Sequence, residues 1–210
     1  MIEDVLRSRG LHPRPIDLAG HISVAGADQS YDLWVPQGEE AQARQEILDL
    51  ISEYTVSNDR QEWDRMDRIW AGDAVMLVPG VGVGRYEGRE EIMSRYRSLA
   101  ARKRQSESAS AEGRPPMTVS RHHLTSTRLT FADESHAEGV IYYLVTTDVG
   151  YDHSGCYEDV YSKVDGRWVI AVRKILVEHV DADSYYGFLR SAAEDHAKQG
   201  IGDGIEPGLD

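Results

Sequence analysis

The stretch "CYEDVYSKVDGRWVIAVRKILVEHV", Cys156–Val180, is dense in β-branched and aromatic residues and is broken once, by Asp165 and Gly166. An Asp-Gly pair tolerates the positive φ of a two-residue hairpin turn, so the segment predicts two antiparallel strands folded back on each other. In the first of them Tyr157, Asp159 and Tyr161 alternate onto one face. Two segments upstream have the same character, "MTVSRHHLTSTRLTF" (117–131) and "HAEGVIYYLVTTDV" (136–149). The second places Tyr143, Val145 and Thr147 on a shared face.

Ahead of these strands the period changes. From Glu39, the residues Ile47, Leu50, Ile51 and Tyr54 recur at offsets of three and four and predict an amphipathic helix. After a Ser57-Asn58-Asp59 break, Trp63, Met66, Ile69 and Trp70 form the buried stripe of a second helix that ends at Gly72. "AVMLVPGVGVGRYEG" (74–88) reads as strand, glycine-rich turn and strand. "GREEIMSRYRSLAARKR" (88–104) is a third helix, acidic in its first turn and basic in its last, with Ile92, Met93, Tyr96 and Leu99 inward. "QSESASAEGRPP" (105–116) is a polar, mobile loop. Helices first and sheet afterwards is an α+β pattern, a curved, mostly antiparallel sheet covered on one face by helices.

The expected organisation is an extended arm over 1–38, blocked from helix by Pro13 and Pro15, and a core domain over 39–181. A docking helix over 182–200 follows, with Tyr185, Phe188, Leu189 and Ala192 on one side, then a flexible glycine-rich acidic tail over 201–210.

With 210 residues, one core that can enclose a pocket is expected. A net charge of -13 argues against nucleic acid and anionic membrane as partners, because both would repel this surface. The lone cysteine, Cys156, can form no internal disulfide and has no partner for a zinc site, which fits a reducing cytoplasm. "MIEDVLRSRG" lacks the basic start and apolar run of a signal peptide, and no stretch approaches the ~20 apolar residues of a membrane span. The expectation is a soluble cytoplasmic protein.

Candidate chemistry begins at Asp59. With Glu62 three residues on, it reads as a capping box at a helix start. Ser57 and Asn58 can cap equally well, however, and Asp59 follows the inward Tyr54 by five residues, so it also reads as the base at the mouth of a pocket. In "RHH" (121–123) only one of His122 and His123 can face a given interior. The glycines of "VPGVGVGRYEG" match neither dinucleotide nor P-loop spacing, no G-x-S-x-G occurs, and the eight histidines show no metal-ligand spacing. No metal and no cofactor are predicted. Eleven tyrosines against two phenylalanines suit positions with one apolar and one polar end, either in core packing or at a ligand.

Taken in order, Tyr54, Asp59, Trp63, "GDAVM", "YEGREEI", "RHHLTS" and "GCYEDVYSKVDGRWVIAVRK" resemble the SnoaL-like branch of the nuclear transport factor two-like superfamily, over roughly Glu39–Val180. The resemblance implies a cone, in which a curved antiparallel sheet wraps around helices and encloses a deep apolar pocket. It also implies acid-base chemistry on hydrophobic ring compounds, as in scytalone dehydratase, bile acid dehydratase, hexachlorocyclohexane dehydrochlorinase and formaldehyde-releasing lyases of lignin-derived dimers. Asp59, four residues before Trp63, takes the place of the family's catalytic aspartate, and Tyr54 that of the bile acid dehydratase tyrosine. His122 takes the place of its histidine, unless a bulge exchanges it with His123. The second histidine of scytalone dehydratase falls near Thr147 and its asparagine near Tyr157, so substrate handling departs from that enzyme.

On this footing the pocket is lined by Trp63, Trp70, Met76, Met93 and Tyr96 from the helical half. The strands add His123, Tyr143, Val145, Thr147, Tyr157 and Asp159. The implied function is a cofactor-independent lyase in which Asp59 and His122 take a proton, Tyr54 donates to oxygen, and water or another small group leaves an aromatic or alicyclic molecule. An isomerase or polyketide-type cyclase with the same base is the alternative, and a non-catalytic binding or assembly module is the third reading. The expected partners are a hydrophobic small molecule and copies of the same chain, as trimer or dimer.

Overall fold

The structure, a computed structural model, describes residues 38–79, 84–108 and 118–187. The arm, the tip of the 74–88 turn, most of the polar loop, most of the C-terminal helix and the tail expected from the sequence lie outside the described residues. The elements in chain order are α1 (Glu39–Arg60), α2 (Trp63–Asp67), β1 (Trp70–Leu77), β2 (Arg85–Glu87) and α3 (Arg89–Ser108). β3 (Ser120–Phe131), β4 (His136–Thr147), β5 (Gly150–Val164) and β6 (Arg167–Val180) follow.

The six strands form one sheet in the order β2-β1-β6-β5-β4-β3. β1 runs parallel to β6, and every other neighbouring pair is antiparallel. The β5–β6 hairpin turns on Asp165 and Gly166, with φ of 49° and 76°, as the Asp-Gly pair predicts. Register shifts interrupt β3–β4 at Leu124/Thr127, β4–β5 at Val145/Thr146 and β5–β6 at two places. Each shift adds local bend and twist, which is how this sheet curves around its helices.

α1 buries Ala43, Ile47, Leu50, Ile51 and Tyr54 against β6 and β3. α3 lays Ile92, Met93 and Tyr96 on the β1 side. Between them and the sheet lies one continuous core with Met66, Trp70, Ile141, Tyr157 and Tyr161. A smaller apolar cluster of Val75, Leu77, Val160 and Val172 covers the other sheet face. Gly139 is where the core is tightest: a Cβ there would lie 2.9 Å from the Tyr161 ring and 3.0 Å from Leu129.

Three expectations are corrected. The second helix is five residues long and Trp70 opens β1, because Trp70 and the residues after it pair with β6. α3 continues to Ser108, so its last turn carries no basic residue and the macrodipole is not complemented there. β5 begins at Gly150, six residues before Cys156, and "GYDHS" is strand. Among the described residues no helix is long and apolar enough to cross a membrane.

Candidate active site

Asp59 sits in the last turn of α1. The helix stops two residues later because Gln61 turns left-handed, φ 58°, and its N–H reaches back to the carbonyls of Asn58 and Ser57. The N-cap of α2 is Glu62, with no side-chain capping bond, so the capping-box reading of Asp59 falls. Its carboxylate is instead directed across the cone to β3. Oδ2 accepts the backbone N–H of His122 at 3.0 Å, and Oδ1 accepts Nδ1 of the same residue at 2.6 Å.

A carboxylate only accepts, so Nδ1 carries the hydrogen and Nε2 of a neutral His122 presents a lone pair. Nε2 is buried and has no hydrogen-bond partner among the described residues, and the His122 side chain is 2 % exposed. Strand alternation sends His123 to the outer face, where Nε2 meets Thr146 Oγ1 at 3.0 Å. His123 is exposed and does not line the interior, which corrects its inclusion there.

The remaining expected residues separate into two groups. Tyr143 and Val145 are buried on the inner face beside His122, with the Tyr143 ring 6.4 Å from its imidazole. Thr147, two residues further, pairs with Ser120, and both hydroxyls are buried without partners among the described residues. The Tyr143 hydroxyl donates to the Leu176 carbonyl at 3.2 Å, and burial, then the Tyr186 and Tyr54 hydroxyls, raise its pKa.

The second group is deeper and filled. Tyr157 stacks on Tyr143 at 4.4 Å and meets Tyr54 edge-on at 5.7 Å. Tyr54 in turn packs against Trp70 and Tyr96. The Tyr54 and Tyr96 hydroxyls lie 2.9 Å apart, either able to donate to the other, and the Tyr96 hydroxyl also reaches Met76 Sδ at 3.4 Å. The Tyr54 hydroxyl is thus engaged with Tyr96 in the core. Met93 is fully buried and Trp63 is half-buried at the core edge. Burial pushes the Tyr96 and Tyr157 hydroxyls well above their ordinary range, which keeps them neutral.

Asp159 is not open to a ligand. Arg173 Nε and Nη2 donate to it at 2.8 and 2.6 Å, and Tyr161 donates to it at 2.6 Å. The guanidinium lies against two rings, 3.8 Å from the Tyr54 ring centroid and 4.5 Å from that of Tyr157. Burial works against its charge, but the Asp159 carboxylate and its hydrogen bonds, with Tyr54 and Tyr161, together raise the Arg173 pKa. Arg173 Nη1 is buried without a partner among the described residues. Neither of two surface clefts, about 820 and 390 Å³, borders Asp59 or His122; both lie along α1 before that residue.

Sequence reasoning misses two features. Arg173 reads only as part of an apolar strand, and nothing local marks its burial. A second Asp-His pair, Asp152 and His153, is bonded through Nδ1 at 2.7 Å with both side chains 3 % exposed. Adjacent strand residues ordinarily face opposite ways, so only the β4–β5 register shift, invisible in the sequence, brings these two together. Among the described residues no group of three or more His, Cys, Asp and Glu is placed to hold a metal.

The sequence profile of the SnoaL-like domain matches residues 39–174. No curated protein matches the chain. Among solved structures, hexachlorocyclohexane dehydrochlorinase LinA-type3 from Novosphingobium barchaimii LL02 is 19 % identical, with a TM-score of 0.56 over 68 % of this chain and 91 % of that one. An NTF2-like protein with a cystatin-like fold from Novosphingobium aromaticivorans is 17 % identical, TM-score 0.52, over 64 % and 81 %. A single-substitution variant of Rv3472, a protein of unknown function from Mycobacterium tuberculosis, is 22 % identical, TM-score 0.56, over 75 % and 92 %. At these identities the likeness is one of fold.

Proposed function

We propose that this chain, which belongs to the SnoaL-like family, is a cofactor-independent lyase that removes a carbon-bound proton and expels water or another small group from a hydrophobic ring compound. The observation that carries this reading is the 2.6 Å bond from His122 Nδ1 to Asp59, with Nε2 buried and unpartnered on the concave face. Asp59 fixes the tautomer, and its second oxygen is locked by the His122 backbone N–H. His122 Nε2 takes the proton, and the carboxylate stabilises the imidazolium that forms. The Tyr143 ring beside His122 suits an aromatic guest, and the filled layer behind it keeps bulk water away from the carbanion-like centre. The resemblance in fold to a dehydrochlorinase agrees with elimination chemistry.

An isomerase or cyclase would use the same base without a leaving group. Phenolic, polyketide, sterol and lignin-dimer compounds incubated in D₂O separate the two by mass. A lyase yields a lighter product, whereas an isomerase yields one of unchanged formula carrying deuterium. Asp59→Asn and His122→Ala should each lower turnover by about 100-fold or more while the protein stays folded. Full turnover by either folded variant refutes the assignment.

A further inference from the structure

We propose that Asp152–His153 is a second proton-transfer pair, which delivers a proton to the oxygen that leaves while Asp59–His122 takes one from carbon. This rests on the base assignment above and adds the acid to it.

The register places the two histidines. His122 on β3 is the cross-strand partner of Val145 on β4, and Val145 is the partner of His153 on β5. Direct partners share a face, so both imidazoles stand on the concave side, flanking Val145, with Cα atoms roughly 10 Å apart across one intervening strand. Their rings lie 6.4 and 5.9 Å from the same Tyr143 ring. Nδ1 of each is bound to a carboxylate, and Nε2 of each is buried without a partner among the described residues. Ser120 and Thr147, one row further along the same face, add two buried hydroxyls in the same condition. Four such atoms on one face are the complement of an oxygen-bearing guest and not of an apolar core.

A merely structural role for the pair is available, and it makes a different prediction. Asp152 also accepts the Tyr186 N–H at 3.3 Å, and the Tyr186 ring lies 4.6 Å from His153, so the pair anchors the chain after β6. That role uses Asp152 and the ring face, yet leaves Nε2 of His153 unexplained. As an acid, Nε2–H is the part that works, and Tyr186 covers the ring from the far side.

The step balances without a further reactant. The C–H bond breaks and its proton goes to Nε2 of neutral His122. The electron pair forms the carbon–carbon double bond as the adjacent C–O bond breaks. The departing oxygen takes the Nε2 proton of the His153 imidazolium and leaves as water. His122 then returns its proton to solvent and His153 regains one.

The probes are β-hydroxypropiophenone and its para-nitrophenyl ether. They share the same activated C–H bond, but hydroxide needs a proton to leave and para-nitrophenolate does not. Phenyl vinyl ketone is quantified by mass for both. His122→Asn is expected to lower turnover of both probes. His153→Asn is expected to lower the alcohol-to-ether ratio of turnover by about 100-fold or more, the usual reach of a general acid. The Asn amide nitrogen stands where Nδ1 stood and can keep the bond to Asp152, which guards against an effect of misfolding, and His153→Gln, whose amide reaches the Nε2 position without a transferable proton, is expected to show the same selective loss. Equal losses on alcohol and ether, or none on either, would overturn the acid role while leaving His122 as base. An ether turnover insensitive to His122→Asn would overturn the base reading itself.

Discussion

Replacing Asp159 with asparagine tests whether the buried guanidinium of Arg173 depends on that one carboxylate. Both side chains are 0 % exposed, and Asp159 accepts two bonds from Arg173 and one from Tyr161. Asparagine keeps the shape and its amide oxygen can still accept one Arg173 N–H, but it leaves the cation in the core without a counter-charge beside the Tyr54 and Tyr157 rings. Removing one partner of a buried pair typically costs about 3–5 kcal/mol. In a chain of this size that corresponds to a fall in Tm of roughly 6–20 °C. The double variant Asp159→Asn with Arg173→Met removes the stranded charge and keeps side-chain volume beside the two rings, so it should recover at least half of the loss. Thermal unfolding followed by circular dichroism reads both. A fall of less than about 3 °C for the single variant, or a double variant no more stable than the single, would refute the reasoning.

Gly139→Ala drives a Cβ to within 2.9 Å of a Tyr161 ring that cannot yield, since its hydroxyl is tied to Asp159. A loss of about 1–3 kcal/mol is expected in denaturant unfolding, and an unchanged midpoint would contradict it. Burial, then the Glu178 and Glu158 carboxylates, push the Cys156 thiol up to about 11. Alkylation by iodoacetamide near neutral pH should therefore run about 100-fold or more slower than for free cysteine and accelerate as pH rises; a rate equal to free cysteine would be the wrong result. The Ser135 backbone N–H, then its hydroxyl and His136, hold the Asp133 carboxyl down at about 2. Its contribution is complete above the ordinary carboxylate range and is lost as pH falls from about 4 towards 2. A carbon-detected NMR titration midpoint near 4 would show that the Ser135 bonds are absent in solution.

The parts of the fold that follow from local chemistry were legible in the sequence. The Asp165-Gly166 turn, the alternation of β4 and the three-and-four spacing of α1 each state their geometry within a few residues. The second half of β1 was read as strand, but its start was not, because Trp63, Met66, Ile69 and Trp70 satisfy a helical period equally well, and only pairing with β6 decides for strand from Trp70 onward. Motif order points to Asp59 and His122, and alternation limits the inner face to one of two adjacent histidines, yet their meeting is a contact 63 residues apart in sequence. Asp152–His153 is hidden by the same alternation rule that serves for His122, since a register shift suspends the rule at one point of β5.

The interior divides into two levels that differ in how their polar atoms are paired. Around Arg173 the carboxylate of Asp159, two guanidinium nitrogens and the Tyr161 hydroxyl are engaged with one another and rings fill the space around them, while Arg173 Nη1 and Trp70 Nε1 stay unpaired among the described residues. One level away, Ser120, His122, Thr147 and His153 each leave a buried polar atom unpaired among the described residues on a single face. Each such atom costs about 1–3 kcal/mol. Four together take a sizeable part of the roughly 5–15 kcal/mol by which a domain is stable at all. On the proposed function a guest would supply the missing hydrogen bonds beside the two carboxylate-bound imidazoles, and the exit of α1 and the bulge of β5 are the two backbone devices that place those imidazoles on one face.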